Sequence, residues 1–352
     1  MLFDRNAILA EKLSTVNTPF ETGTGEILHD SKDGGKEKPW DQKRPQSLLL
    51  REVFGLARKN DPGVITEAAL EKLSHCGDHL IFNQCPNHSE EKHLAQADFC
   101  RNRLCPMCNW RKSLKMFSQM SEIVEKMTTD HSGLRFIFLT LTVKNPAATD
   151  LSATIDAMNQ GFTLLVDKSK TLAASKTVKK NILGWFKTLE ITYNIKADTY
   201  HPHFHVVLAV PDSYFTRGFT TTEKWVKIWR ACMKLDYDPV VDVRSVDMAE
   251  KGAVCEITKY AVKGEFLSDV CPQEQAVRVV TVLANTLRNR RLIGFGGLFR
   301  DVRKFLNQED VETGDLIRIG DDDSEAKVCK VCGTKLLKYM YTWRSGIGKY
   351  IC

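Results

Sequence analysis

Three of the nine histidines fall within five residues, in the segment Tyr200-His-Pro-His-Phe-His-Val-Val-Leu208. Side chains at positions i and i+2 of a β-strand project from the same face about 6.5 to 7 Å apart, so His203 and His205 could bind one metal ion together. Glu190, in the preceding apolar segment, would lie beside them if the two segments pair as a hairpin. Two imidazoles and one carboxylate leave open positions on a divalent cation, which suits catalysis. Half-exposed histidines and a surface glutamate are the alternative.

A second set of reactive side chains lies in Val254-Cys-Glu-Ile-Thr-Lys-Tyr-Ala-Val-Lys263. On a helix, Glu256, Tyr260 and Lys263 occupy positions i, i+4 and i+7 and share one face. A phenol has a reference pKa of about 10, so its attack on phosphorus at neutral pH needs a base, a metal ion or a nearby ammonium group. The set therefore indicates an assisted tyrosine nucleophile. A helix surface with a Glu–Lys pair and a packed tyrosine is the alternative.

Three cysteines, Cys100, Cys105 and Cys108, have the spacing of metal ligands. They predict a structural zinc site, with Cys76 or Cys85 as the fourth ligand. Buried cysteines without a metal are the alternative.

A second cysteine group, Cys329 and Cys332 with Cys352, lies near the C-terminus and indicates a second zinc site. Its fourth ligand is missing, because no histidine follows His205.

Composition excludes several classes of protein. Hydrophobic residues at 43% and charged residues at 27% are globular values, which argues against a disordered or low-complexity chain. Apolar runs such as Phe136–Leu139 are far shorter than the roughly 18 to 20 residues of a membrane span. The segment Met1-Leu-Phe-Asp-Arg5 does not resemble an export signal, so we expect a cytoplasmic protein with reduced cysteines.

Positive charge is concentrated in three segments, although the net charge of +6 over 352 residues is mild. Residues 101–145, 168–196 and 286–304 together carry about +16, whereas residues 305–325 are strongly acidic. Clustered Lys and Arg indicate a surface for a polyanion, with solvated lysines as the alternative.

The elements around these residues indicate an α+β domain. The segments expected as strands are residues 135–143, 183–193, 203–210 and 239–243, and those expected as helices are 110–127, 154–170, 222–233 and 253–262. The polar stretch 194–200 predicts a hairpin between the two middle strands. This mixture favours helices on an antiparallel sheet over a parallel doubly wound sheet.

Four consecutive regions follow from these features. They are a flexible arm (1–45), a helical, Cys-rich and zinc-binding region (46–132), an α+β domain (133–270) and a C-terminal region with the acidic stretch and the second zinc site (271–352).

Five motifs in this order resemble the initiators of rolling-circle plasmid replication. They are Phe99–Lys112, Phe138–Val143, His201–His205, Glu256–Lys263 and Arg290–Gly297. More narrowly, the chain is similar to the initiators of small staphylococcal and bacillus-type plasmids within the HUH endonuclease superfamily. The resemblance spans roughly residues 70–305 and implies the HUH fold, with a central antiparallel sheet, flanking helices and a zinc-binding segment before it. It also implies that residues 46–132 contact DNA and that residues 133–270 form the nicking and joining nuclease domain.

The resemblance also implies roles for individual residues. His203, His205 and Glu190 would bind the catalytic Mg²⁺ or Mn²⁺, and Cys76 becomes the preferred fourth zinc ligand. Tyr260 would attack the scissile phosphate of single-stranded origin DNA, which gives a 5′-phosphotyrosine and a 3′-hydroxyl primer for the host polymerase. Lys263 would offset the charge that develops on the phosphate.

Members of this family with a single tyrosine and a glutamate four residues before it are thought to terminate by hydrolysis. Glu256 lies at that position and could deprotonate water for the second cleavage before strand joining. The implied partners are the double-stranded origin, its single-stranded nick region, and the host replicative helicase and polymerase. The sequence leaves open whether the chain forms a homodimer.

Two other functions remain open. The same chemistry could serve an HUH transposase or relaxase, although the chain lacks the two-tyrosine helix of a conjugative relaxase. Alternatively, the chain could be a non-catalytic, zinc-containing DNA-binding regulator with structural histidines.

Overall fold

The computed structural model describes residues 20–21, 25–31, 35–248, 254–255, 257–258, 264–268, 270–320 and 327–352. The chain divides into two compact units, the first comprising residues 1–45, 75–99 and 317–352 and the second residues 46–74 and 100–316. Both units are discontinuous in sequence, whereas the four predicted regions are consecutive. The two compact units do not correspond to the four predicted regions, whose functional division stays a prediction.

Strands and helices are interspersed along the described residues. The strands are β1 Phe20–Glu21, β2 His79–Gln84, β3 Lys92–Ala97, β4 Leu134–Thr142, β5 Gly184–Asn194, β6 Thr199–Pro211, β7 Val241–Val246, β8 Ile293–Gly297, β9 Leu337–Arg344 and β10 Lys349–Ile351. The α-helices are α1 Trp40–Asn60, α2 Glu67–Ser74, α3 Pro106–Asp130, α4 Leu151–Val166, α5 Lys176–Asn181, α6 Ser213–Arg217, α7 Thr222–Met233, α8 Gln273–Leu287 and α9 Leu298–Phe305. Short 3₁₀ helices cover Ala173–Ser175 and Gly264–Leu267.

The second unit contains an antiparallel sheet with the strand order β7-β4-β6-β5-β8 among the described residues. Strands β5 and β6 form the predicted hairpin, and Asn194 begins its loop by accepting hydrogen bonds from the amides of Lys196 (3.1 Å) and Ala197 (3.0 Å). Asn is favoured at such a turn because its side chain can bond to backbone two residues on. The predicted α+β class is confirmed.

One face of this sheet is apolar and packs against α4. The ring of Phe162 on α4 lies 5.8 Å from that of Phe204 and 5.0 Å from that of Trp185. Phe204 alternates with His203 and His205 along β6, so its burial directs both histidines to the opposite face. The packing of α4 thus orients the predicted metal ligands.

The first unit is built on a smaller sheet in which β9 pairs with β2, β1 and β10, and β2 pairs with β3. Its core stacks Trp40, Phe82 and Tyr341 edge to face, with ring centroids 6.3 and 5.9 Å apart. The Trp40 indole also donates a hydrogen bond of 2.7 Å to Asp30. Helix α1 therefore begins at a buried residue within the segment predicted as an arm.

The tight junction of β8 with β5 generates a prediction about stability. Gly297 has φ +53°, and a Cβ there would lie 2.3 Å from the Leu183 carbonyl oxygen and 2.9 Å from Gly184 Cα. Gly297→Ala should lower the free energy of unfolding by about 2 to 4 kcal/mol, because both a left-handed conformation and backbone atoms oppose the methyl group. Urea denaturation measures the change.

Gly133→Ala is the matched control, since Gly133 also has positive φ (+76°) but its nearest non-neighbouring atom would be 3.8 Å from the new Cβ. It should cost only about 1 kcal/mol. Equal losses in the two variants would contradict the steric explanation.

Candidate functional site

Glu190, His203 and His205 converge on one face of the sheet in the second unit. Their ligand atoms all lie within 4.8 Å of one another. Glu190 is directly opposite His203 in the β5–β6 register, and its Oε2 is 3.9 Å from His203 Nε2 and 3.2 Å from His205 Nε2. The hairpin therefore brings together the three side chains that sequence reasoning selected.

The site holds His203 as a neutral imidazole. Burial and the neighbouring His205 lower the pKa of His203 to about 4. Its Nδ1 lies 3.1 Å from the carbonyl oxygen of His201, which can only accept a hydrogen bond, so Nδ1 donates and Nε2 keeps its lone pair. A neutral imidazole oriented through its other nitrogen is the form that binds metals.

His205 is positioned by strand β4. Its ring stacks on Phe138, with centroids 5.4 Å apart, and its Nδ1 lies 3.4 Å from Thr140 Oγ1. The guanidinium of Arg244 on β7 lies 4.8 Å from the centroid of the same Phe138 ring. The His205 ring therefore packs on an aromatic side chain that also contacts a guanidinium group.

The predicted nucleophile helix falls largely outside the described residues. Glu256, Tyr260 and Lys263 all lie there. The described part shows one helical turn, in which the amide of Thr258 donates to the Val254 carbonyl oxygen at 3.2 Å. The roles of these three residues stay predictions.

The thiols of Cys100, Cys105 and Cys108 are close together in the second unit. Cys100 Sγ and Cys108 Sγ are 3.6 Å apart, and all three sulfur atoms lie within 4.8 Å of one another. The backbone amide of Arg101 donates to Cys108 Sγ at 3.2 Å. Such a cluster could bind a metal such as zinc. Cys76 is buried in the first unit, and its role as fourth ligand stays a prediction.

Two basic residues within the region predicted to contact DNA are not on its surface. Arg111 and Lys112 are buried, and Arg111 donates to the carbonyl oxygen of Leu316 at 2.9 Å. Burial also lowers the pKa of Lys112. Both lie on the buried side of α3, whereas Arg101 is exposed.

The C-terminal cysteines belong to a cluster that sequence reasoning identified only in part. Cys329 and Cys332 lie with Cys85 and His88, all four ligand atoms within 4.8 Å of one another in the first unit. The cluster takes Cys85 and His88 in place of Cys352, which was the wrong partner. The signal available in the sequence was the Cys85-x2-His88 spacing, which matches Cys329-x2-Cys332.

A lysine-lined cavity of about 630 Å³ lies in the second unit. Its lysines are Lys168, Lys170, Lys176, Lys179 and Lys180. They come from one of the three basic segments noted in the sequence, so the lysines of that segment line one cavity.

No helix in the described part of the chain is both long enough and apolar enough to cross a membrane.

Comparison with known proteins agrees with these features. A family model described as "Replication protein" (Rep_1) matches residues 91–351. "Protein rep" of Bacillus amyloliquefaciens is 36% identical over 343 residues, which cover 92% of this chain and 97% of that protein. "Protein rep" of Streptococcus pneumoniae is 39% identical over 317 residues, covering 88% and 92%. A "Replication protein" of Staphylococcus aureus is 34% identical over 215 residues, covering 58% and 88%.

No solved structure matches the chain. The family match spans most of the chain, including the hairpin with Glu190, His203 and His205. Among the clustered ligands it includes Cys100, Cys105, Cys108, Cys329 and Cys332, whereas Cys76, Cys85 and His88 precede it. The chain therefore belongs to the Rep family of replication proteins, which confirms the family that its motifs resemble.

Proposed function

We propose that this protein initiates rolling-circle replication of a plasmid by nicking one strand of the origin through a tyrosine nucleophile. The observation that carries the proposal is the convergence of Glu190, His203 and His205 on the sheet of a replication protein. Two imidazoles and a carboxylate on a largely buried face fit a catalytic cation better than a structural one, since three ligands leave positions for a substrate.

The donor set accepts several divalent ions, and the family resemblance favours Mg²⁺ or Mn²⁺, with Glu190 as the anionic ligand and His203 and His205 as neutral ones. When bound, the cation would supply Lewis-acid stabilisation of the scissile phosphate. The chain's own residues hold the site in shape: His201 fixes the His203 tautomer, and Phe138 and Thr140 hold the His205 ring.

Tyr260 is the nucleophile of the proposal. Its phenolic oxygen would bond to phosphorus as the 3′ oxygen leaves, which conserves the bond energy in a 5′-phosphotyrosine and frees a 3′-hydroxyl. Lys263 would balance the charge on the phosphate, and Glu256 would activate water for the terminating cleavage before strand joining. The host polymerase would extend the 3′-hydroxyl behind the host helicase, in the cytoplasm.

Origin DNA would be bound by the basic surfaces of the second unit. The lysines around the 630 Å³ cavity offer several ammonium groups to phosphate oxygens within one segment, which supports a backbone contact rather than base recognition. Cys100, Cys105 and Cys108 would hold a structural Zn²⁺, with Cys76 as the proposed fourth ligand.

Two alternatives to plasmid initiation make different products. A transposase or relaxase would nick and join like the proposed enzyme but would act at transposon ends or a transfer origin. A DNA-binding regulator would not cleave at all. Cleavage of single-stranded oligonucleotides with and without Mn²⁺ separates the regulator from the enzymes.

Loss of a metal ligand should abolish nicking. His203→Ala, His205→Ala or Glu190→Gln should reduce Mn²⁺-dependent cleavage of a single-stranded origin oligonucleotide by at least about 100-fold, because each removes one of three ligands. Excess Mn²⁺ should restore part of the activity. His131→Ala, which changes an exposed histidine after α3, is the control. Normal cleavage by the ligand variants in metal-free buffer would reject the metal assignment.

Removal of the phenolic oxygen should separate binding from chemistry. Tyr260→Phe should form no covalent adduct with origin DNA, while its affinity for the double-stranded origin stays within about threefold of the parent, because only a hydroxyl is lost. Denaturing electrophoresis of a labelled oligonucleotide detects the adduct. Tyr237→Phe is the control, and an adduct that persists in Tyr260→Phe would place the nucleophile elsewhere.

Glu256 should matter for termination more than for initiation. Glu256→Ala should nick within roughly tenfold of the parent rate but lose about 10² to 10⁴ in the hydrolytic second cleavage, the range for loss of a general base. Displaced single strands should accumulate as multimers on a plasmid template, visible by gel electrophoresis. Equal losses in both steps would show that the residue only supports the site.

A further inference from the structure

We propose that Cys85, His88, Cys329 and Cys332 bind one structural Zn²⁺, which joins two turns of the first unit into a module that resembles a zinc ribbon. This site is separate from the nicking residues and does not depend on the proposed function. It also differs from the Cys100 cluster, so the proposal raises the expected zinc content to two ions per chain.

Three distances between ligand atoms of the cluster match the edges of a tetrahedral metal site. Cys85 Sγ is 3.6 Å from Cys332 Sγ and 3.7 Å from His88 Nδ1, and Cys329 Sγ is 3.8 Å from the same nitrogen. With Zn–S of about 2.3 Å and Zn–N of about 2.0 to 2.1 Å, the edges of a tetrahedron are about 3.6 to 3.8 Å. The sulfur atoms are too far apart for a disulfide, which requires about 2.05 Å.

Each pair of ligands comes from a tight turn at the end of strands. Cys85 and His88 lie in the connection between β2 and β3, where the Cys85 amide donates to the Glu91 carbonyl oxygen at 3.1 Å. Cys329 and Cys332 precede β9, in the turn that contains Gly333 at φ +70°. The two ligand pairs have the x2 spacing of zinc-binding turns.

Backbone geometry prepares the C-terminal turn for a thiolate. The amide of Val331 donates to Cys329 Sγ at 3.4 Å, and the Gly333 amide donates to the Cys329 carbonyl oxygen at 2.9 Å. Amide donors to sulfur stabilise the negative charge that a zinc-bound cysteine carries. The side-chain amide of Asn87 also reaches Thr334 Oγ1 at 3.3 Å, which links the two turns directly.

The location explains why an ion would be useful here. Among the described residues, the buried apolar cluster that contains these ligands is small and consists of Cys85, Cys329 and Leu336. The two turns are about 240 residues apart in sequence and meet where β2 pairs with β9, so an ion there would add to the contacts that offset the entropic cost of closing this loop. A metal–ligand contact can supply the stabilisation that a small core cannot.

Zinc stoichiometry of the full chain tests the proposal. Elemental analysis should find two zinc ions per chain in the parent and one in His88→Ala and in Cys332→Ser. Cys108→Ser should lose the other ion and keep this one. His29→Gln, which changes an exposed histidine of the same unit, should keep both ions.

A conservative variant keeps the test decisive if the others fail to fold. His88→Cys should retain two zinc ions, because four thiolates bind zinc as well as three thiolates and one imidazole. Replacement by Co²⁺ should shift its visible spectrum toward that of a four-thiolate site. Limited proteolysis within residues 85–91 and 327–336 should be at least about tenfold faster in His88→Ala than in His88→Cys, since cleavage follows the population of the open state.

Two results would overturn the proposal. One is a parent protein with a single zinc ion that is lost in Cys108→Ser. The other is a His88→Ala variant that holds as much zinc as the parent. Neither result bears on nicking, which an oligonucleotide cleavage assay on the same preparations measures separately.

Discussion

The register of the β5–β6 hairpin is the constraint on which the candidate site depends. A strand has a side-chain period of two, so a slip of one residue would move every side chain to the other face of the sheet. The observed register places Glu190 opposite His203, and Thr188 opposite His205. Phe204 stabilises this register, because its ring packs against Phe162 on the apolar face while the histidines project from the other face. The chemistry of one face is therefore held by the packing of the other.

Burial determines the electrostatics of the candidate metal site. Glu190 is only 2% exposed, and placing a carboxylate there carries a desolvation cost of several kcal/mol that nearby positive charge must offset. A neutral imidazole such as that of His203 supplies no such charge, whereas a divalent cation between the three groups would supply it. The same burial that keeps His203 neutral therefore favours a metal ion, and it explains why these residue types occur together on an otherwise apolar strand.

The cysteine clusters address a different physical problem. The first unit is assembled from segments at both ends of the chain, and its sheet gains β9 and β10 only after the chain has passed through the second unit. Closing such long connections has an entropic cost, which the pairing of β2 with β9 and the buried aromatic core of the first unit help to offset. An ion at the proposed site of Cys85 and Cys329 would add one further contact between the distant segments.

Local patterns in the sequence determined much of this protein. The strand-like segments 183–193 and 203–210, separated by the polar stretch 194–200, predicted the hairpin. The spacing of His203 and His205, with Glu190, predicted the three side chains that meet on it. Helix α7 was predicted at its observed bounds, because its apolar period and Thr221 cap are local signals. The motif order was also sufficient to indicate the family.

Only the tertiary structure decided which distant residues meet. The pairing of Cys85 and His88 with Cys329 and Cys332 spans most of the chain, and no local spacing states which of several cysteines will be neighbours. The same reason applies to Arg111 and Lys112, whose charge indicated an exposed surface. Their burial depends on contacts of α3 with residues some 200 positions later, such as the Leu316 carbonyl that accepts from Arg111. Spacing along the chain determines on which face of a helix or strand a side chain lies, whereas tertiary packing determines which distant segment contacts that face.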